Sequence, residues 1–525
     1  MLLFFVFLSP HRRAQCTHPT TAHSVGECIA HPIRTGLLLR KFSFFDGNLL
    51  AGWTVITVNP SRERPEPMSF SSIEFLFVFL PCFFLLYYLL PGQGKMLWLL
   101  VGSLVFYGWG CRETPWHLGL MAALTVVHYL LARSIRGRRG LLVFGLVLDF
   151  LLLFCFKYAA FAGNQLLMLL GLPGNLTAPP MPLGLSFFLF QAAAYLIDCY
   201  RGQQAETSLL RCGVFFFLFP HTASGPILRQ SEMASQLQSP RVTVAGVDVG
   251  LREFCIGLGL KVLLADRIGK LWTDVGAIGF DSISTPLAWM ALIAYSLQLY
   301  LDFYGYSRMA VGLGLMLGLE LPRNFLYPYT ARSMTDFWRR WHMTLSRWFR
   351  DYLYIPLGGS REGFGRTVRN LLVVWLATGL WHGAGWNFLL WGFMLFLLLV
   401  LEKVGLRKVL EGVPLLGHLY MVLAIPLSWV PFAISELGQI PVFLSRLFPM
   451  GGEAAGVFAQ DYLKYGSQYG WLLLLGILFS TPVPRRIYRQ YAPKPWMPVV
   501  LVAIFLGCVY CIVRQGSDPF MYFQF

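Results

Sequence analysis

Beyond Met68 the chain alternates between long apolar runs and short polar connections. Apolar runs lie near 72–91, 96–110, 115–132, 140–160, 181–198, 209–220, 249–265, 283–303, 307–319, 370–401, 416–435, 469–482 and 496–514. A helix needs about 20 apolar residues to cross a hydrocarbon layer of ~30 Å, so the longer runs predict an all-α polytopic membrane protein. Runs 209–220 and 307–319 are too short to cross alone. They read as re-entrant or half-spanning pieces, which are tolerated only where protein or a water-filled cavity covers the backbone. Run 370–401 is too long for one straight crossing, and Gly379, Gly383 and Gly385 offer places for it to bend around His382. A cavity at mid-depth is expected there. No internal repeat is visible, which weakens a transporter reading built on inverted halves.

The stretch from Ser333 to Gly392 has the most unusual pattern. At 100° per residue its first half places Phe337, Trp338, Trp341, Leu345, Trp348, Phe349 and Tyr352 on one arc, with Arg339, Arg340, Arg347 and Arg350 on the other. The spacing predicts an aromatic helix backed by arginine, with His342 at the margin between its faces. Arg361, Arg366 and Arg369 then close a Gly-rich loop before the long apolar run. At about 1.5 Å per residue, His382 lies roughly 20 Å beyond Arg369, near the middle of a bilayer. An ionisable group at that depth is a functional-site candidate.

Composition strengthens the membrane reading, since 56% of the residues are hydrophobic and only 13% are charged. The net charge of +16 sits in short connections such as Arg133 to Arg139, Arg339 to Arg369 and Arg485 to Arg489. Arginines that flank apolar runs are a positive-inside signature, and without a soluble basic domain they argue against nucleic-acid binding. Neither Cys508/Cys511 nor Cys16/Cys28 has a second pair at metal spacing, so no metal site is predicted. Residues 1–67 carry no membrane periodicity and fail as a signal peptide, because Arg12 and Arg13 follow the short apolar start. They read as an extension from an upstream start codon, with a disordered or interfacial segment as the alternative. Residues 68–525 form the membrane domain.

Other polar groups have plain structural readings. Asp149 and Lys157 are eight residues apart, about 80° around a helix, so each needs a partner on a neighbouring helix. Asp198, Glu253, Lys261 and Asp302 fit snorkelling or interfacial pairing. His117, His128 and His418 fit packed or interfacial histidines. His382 differs because Trp381 and Trp386 would wall it, while Gly383 and Gly385 would let a substrate chain approach. A neutral imidazole in a low-dielectric pocket is a competent acceptor of a hydroxyl proton during acyl transfer. The structural alternative is a histidine that ties two helices through a backbone carbonyl. No Ser-His-Asp constellation, P-loop or HExxH motif is evident.

The blocks SLQLYLDFYGYSRMAVGLGLMLGLELPRNFLYPY (296–329), FWRRWHMTLSRWFRDYLYIPLGG (337–359) and LWHGAGWNFLLWG (380–392) resemble the membrane-bound O-acyltransferase family. Within it the chain is most similar to the bacterial branch that modifies alginate and teichoic acid. MSFSSIEFLFVFLP, FPHTASGPILR (219–229) and DPFMYFQF (518–525) extend the resemblance over nearly everything after Met68.

The resemblance implies a fold with re-entrant and broken helices around a central tunnel, and a catalytic core at about 296–392. His382 would be catalytic, His342 would support it, and Trp381, Trp386, Asn387, Trp341 and Arg340 would line the tunnel. It further implies a multi-pass protein of the bacterial inner membrane with no bound cofactor or metal. Acetyl-CoA or another acetyl carrier would be the donor. An exported polysaccharide, membrane lipid and a periplasmic acetyltransferase would be its partners. A polysaccharide or small-molecule export subunit is the alternative. The chain departs from the family pattern at Arg308 (usually Asp in GYSDMA), at Leu395 (usually His in WGxxHG) and at His221 in FPHTASGPI.

Overall fold

A computed structural model describes residues 68–222, 225–449 and 457–515, and the predicted 1–67 extension, with Cys16 and Cys28, lies outside them. The described residues are helical and contain no strand. Among the described residues, four helical stretches are long and apolar enough to cross a bilayer: Arg139–Leu169, Trp386–Gly412, Pro414–Ala433 and Met497–Arg514. Run 209–220 becomes the short Leu209–Phe217 helix, capped by the Ser208 hydroxyl and buried along its last six residues. Nine helical residues rise only about 14 Å, so this helix ends well short of a full crossing.

The central element is the 32-residue helix Thr285–Met316. The Ser284 hydroxyl accepts the Leu287 N–H at 3.3 Å and Pro286 occupies the first turn, which together start the helix. The separate half-spanning piece predicted at 307–319 is not present, because this helix runs unbroken through Gly305 and Gly312. Those glycines serve packing. A methyl on Gly305 would lie 2.7 Å from the Gly257 carbonyl oxygen, and one on Gly312 would lie 2.5 Å from that of Gly250. The Val244–Gly259 helix therefore meets the central helix backbone to backbone. One turn further on, Lys261 is buried between Asp266 at 2.6 Å and Asp302 at 3.0 Å. It does not snorkel, since two carboxylates meet its charge inside the fold.

The second organising unit is a pair of helices, Phe364–His382 and Trp386–Leu401. The long run does break after His382, as its glycines predict. A methyl on Gly379 would sit 2.4 Å from the Phe388 carbonyl oxygen, and one on Gly392 would sit 2.4 Å from that of Trp375, so the two helices fold back in close contact. Gly383 and Gly385 have another role than predicted. A methyl on Gly383 would lie 2.1 Å from the Phe388 ring and one on Gly385 2.4 Å from Asn387 Oδ1, so neighbouring side chains fill the space assigned to substrate.

Candidate active site

The predicted aromatic helix is broken into Met334–Trp338 and Met343–Phe349, and His342 stands between them in the left-handed region at φ 40°. A non-glycine residue held there costs roughly 1–3 kcal/mol, which the surrounding bonds must offset. The Met343 N–H donates to the Asn324 carbonyl at 2.9 Å, and the Leu326 N–H donates to the Arg340 carbonyl at 3.0 Å. The Thr344 hydroxyl donates to Asn324 Oδ1 at 2.7 Å. The loop around Asn324 thus satisfies the backbone that a continuous helix would have paired with itself. The turn moves His342 from the predicted margin into the interior.

His342 is 1% exposed and surrounded by rings. Its centroid lies 4.8 Å from Phe303, 6.3 Å from Phe187 and 6.2 Å from Trp381. Neither ring nitrogen has a hydrogen-bond partner among the described residues, and the same holds for Trp381 Nε1. Buried polar atoms are usually paired, so these three make the cage a candidate site.

His382 ends its helix and is 6% exposed. Its imidazole lies 4.7 Å from Trp381, 4.9 Å from Trp391 and 5.2 Å from Phe432. The Trp381 indole therefore touches both imidazoles. Two histidines 40 positions apart in the chain share one indole wall.

The other predicted tunnel residues do not all join this cluster. Trp341 is buried among Tyr300, Phe325, Phe337 and Trp429 and supports the turn from behind. Asn387 is buried and its Nδ2 donates to the Pro431 carbonyl at 3.1 Å, fastening the second helix of the pair. Arg340 binds Asp336 at 2.8 Å and the Thr330 hydroxyl at 3.2 Å, outside the aromatic cage. Trp386 is 52% exposed, and its Nε1 donates to Gln165 at 3.2 Å, so of the two tryptophans flanking the motif only Trp381 walls His382.

Sequence reasoning missed what holds His382 in place. A π-helical turn, Phe154–Tyr158, brings two adjacent side chains to the carboxyl end of the Phe364–His382 helix. Lys157 Nζ donates to the Trp381 carbonyl at 2.5 Å and to the His382 carbonyl at 3.1 Å, while the Tyr158 hydroxyl donates to Leu380 at 2.5 Å. The last carbonyls of a helix lack intrahelical partners and carry partial negative charge, which a lysine complements. A lysine inside an apolar run was the available signal, but its partner lies more than 200 residues away.

The three departures are each accommodated. Arg308 forms an ion pair with Glu253 at 2.7 Å, Leu395 is fully buried, and His221 Nε2 bonds the Phe215 carbonyl at 3.0 Å. Cys508 and Cys511 are free, buried thiols, and no cluster of three or more metal-ligating side chains occurs among the described residues.

Comparison with known proteins adds an independent line. The sequence pattern of the MBOAT, membrane-bound O-acyltransferase family matches residues 195–409. The chain is 34% identical over 492 residues to the probable alginate O-acetylase AlgI of Pseudomonas putida, covering 87% of this chain and all of that protein. It is 35% identical over 518 residues to the peptidoglycan O-acetyltransferase of Helicobacter pylori, covering 87% of this chain and 97% of that protein. It is 30% identical over 227 residues to the teichoic acid D-alanyltransferase of Bacillus subtilis, covering 40% and 56%. The three names differ in polymer and agree in acyl transfer.

Proposed function

The chain belongs to the membrane-bound O-acyltransferase family, and on that premise we propose that it passes an acetyl group from a cytoplasmic donor across the membrane for O-acetylation of an exported, alginate-like polysaccharide. It is a membrane protein and an O-acyltransferase. Our reading places it in the bacterial inner membrane as a multi-pass protein, with the Arg339 to Arg369 connection facing the cytoplasm. The donor is acetyl-CoA or another acetyl carrier, and a periplasmic acetyltransferase works with it on the polymer.

The observation that supports this reading best is the pair of imidazoles packed against Trp381, one of them with neither nitrogen partnered among the described residues. In the proposed reaction His382 takes the proton of the acceptor hydroxyl as its oxygen attacks the acyl carbonyl carbon. The carbon–sulfur bond of a thioester donor then breaks, and the proton passes to the leaving sulfur. His342 orients the donor or acceptor through its unpaired nitrogens, and Lys157 fixes the backbone that carries His382.

Polymer acetylation and membrane abundance, measured together, test the assignment. His382→Ala is expected to lower transfer by about 10²–10⁴-fold at normal abundance, the range lost with a general base. His382→Gln keeps one hydrogen bond and should be equally inactive. An active, well-expressed His382→Gln would make the histidine a helix tie and end its catalytic assignment.

A further inference from the structure

Behind the histidine cage lies a cavity of about 80 Å³, roomy enough for several waters or one phosphate group. It is bounded by the central helix, the Val244–Gly259 helix, the loop at Arg323 to Phe325 and the short Val483–Tyr491 helix. Three arginines and one carboxylate line it: Arg308, Arg323, Arg485 and Glu253. Glu253 is taken by Arg308, whose guanidinium also lies 5.5 Å above the Tyr304 ring. Arg323 and Arg485 form no ion pair among the described residues, so the wall carries an excess of two positive charges, three arginines less one glutamate.

Asn324 supplies a second, independent sign. Its side chain is on the cavity wall and 1% exposed. The Ile227 N–H donates to Thr344 Oγ1 at 3.1 Å, so the Thr344 hydroxyl proton is free to donate onward to Asn324 Oδ1. That chain fixes the amide orientation and makes Nδ2 the donor left over, buried and without a partner among the described residues. A buried amide donor beside two unneutralised guanidiniums suits a multivalent oxyanion, and arginine forks match phosphate oxygens in particular.

We propose that this cavity binds the phosphate of a phosphate-bearing ligand, through Arg323, Arg485 and the Asn324 amide, with Arg308 held in place by Glu253. The site adjoins His342. Phe325, on the cavity wall, packs 4.9 Å from Phe303, which packs 4.8 Å from the imidazole, and the Asn324 carbonyl bonds the residue after His342. The ligand is either a soluble phosphate ester or the headgroup of an anionic phospholipid. A soluble ester would deepen the acyl-transfer reading by anchoring the donor beside the cage, but binding itself does not depend on that reading.

The full chain in phosphatidylcholine nanodiscs is titrated with inorganic pyrophosphate. In parallel, nanodiscs containing phosphatidylglycerol are examined by native mass spectrometry for retained lipid. The variant is Arg323→Gln with Arg485→Gln, which changes one exposed and one half-buried side chain and leaves the half-buried Arg308–Glu253 pair intact. Saturable pyrophosphate binding that weakens at least tenfold in the double variant supports a soluble ester. Retention of phosphatidylglycerol over phosphatidylcholine that disappears in the double variant supports a lipid headgroup. Neither ligand binding the parent chain, or both binding the double variant equally well, overturns the proposal. Because no turnover is measured, either result is separable from failure of the His382 test.

Discussion

His128 and His342 are both almost wholly buried, at 0% and 1% exposure, yet they are opposites in chemistry. His128 uses Nδ1 on the Leu124 carbonyl at 2.7 Å and Nε2 on Asp149 at 2.8 Å, so its hydrogen-bonding capacity is spent within the fold. His342 sits on a strained turn with rings around it and no partner for either nitrogen among the described residues. Depth alone therefore does not distinguish the proposed site histidine from a packed one. The distinction lies in whether the protein satisfies the imidazole itself or leaves that to a guest.

Substitutions should separate the two. His342→Ala is expected to reduce acetylation by about 10²-fold or more with abundance preserved, because no side-chain hydrogen bond among the described residues is lost and only the reacting complex is disturbed. A fall in abundance matching the fall in activity would instead make His342 a packing residue.

Lys157→Met should lower kcat about tenfold without changing KM for the donor, because it loosens the carbonyls that hold His382 rather than a substrate contact. Lys157→Arg should recover most of the loss. A change in KM alone would place Lys157 in donor binding.

His128→Leu leaves the Asp149 carboxylate buried without its partner, which costs about 3 kcal/mol. The expected result is reduced abundance and faster thermal inactivation, with turnover per folded molecule unchanged within twofold. Loss of turnover at full abundance would erase the contrast with His342. The smallest effect is expected from a single cysteine placed at Ser360, an exposed position in the arginine-rich connection, with the native cysteines replaced. It should leave activity intact and resist an impermeant thiol reagent applied to intact cells, and efficient labelling would invert the proposed orientation.

Several features were legible in the chain itself. Apolar runs determined the helical class, and the glycines after His382 determined where the long run breaks, since a local deficit of side chain is written in adjacent residues. Tertiary structure decided the rest. Periodicity drew a continuous helix through His342, whereas the loop at Asn324 and Leu326 supplies the bonds that stabilise the break and the left-handed turn. Runs 283–303 and 307–319 look like separate pieces, yet one helix carries both and the Val244–Gly259 helix packs against its Gly305 and Gly312. Trp381 and Trp386 are equivalent in the motif, yet the fold buries one against two imidazoles and turns the other outward. The physical reason is the same in each case: a sequence pattern records which side of an element is apolar, whereas the partner that satisfies a polar atom or fills a glycine's empty side is brought there from elsewhere in the chain by packing.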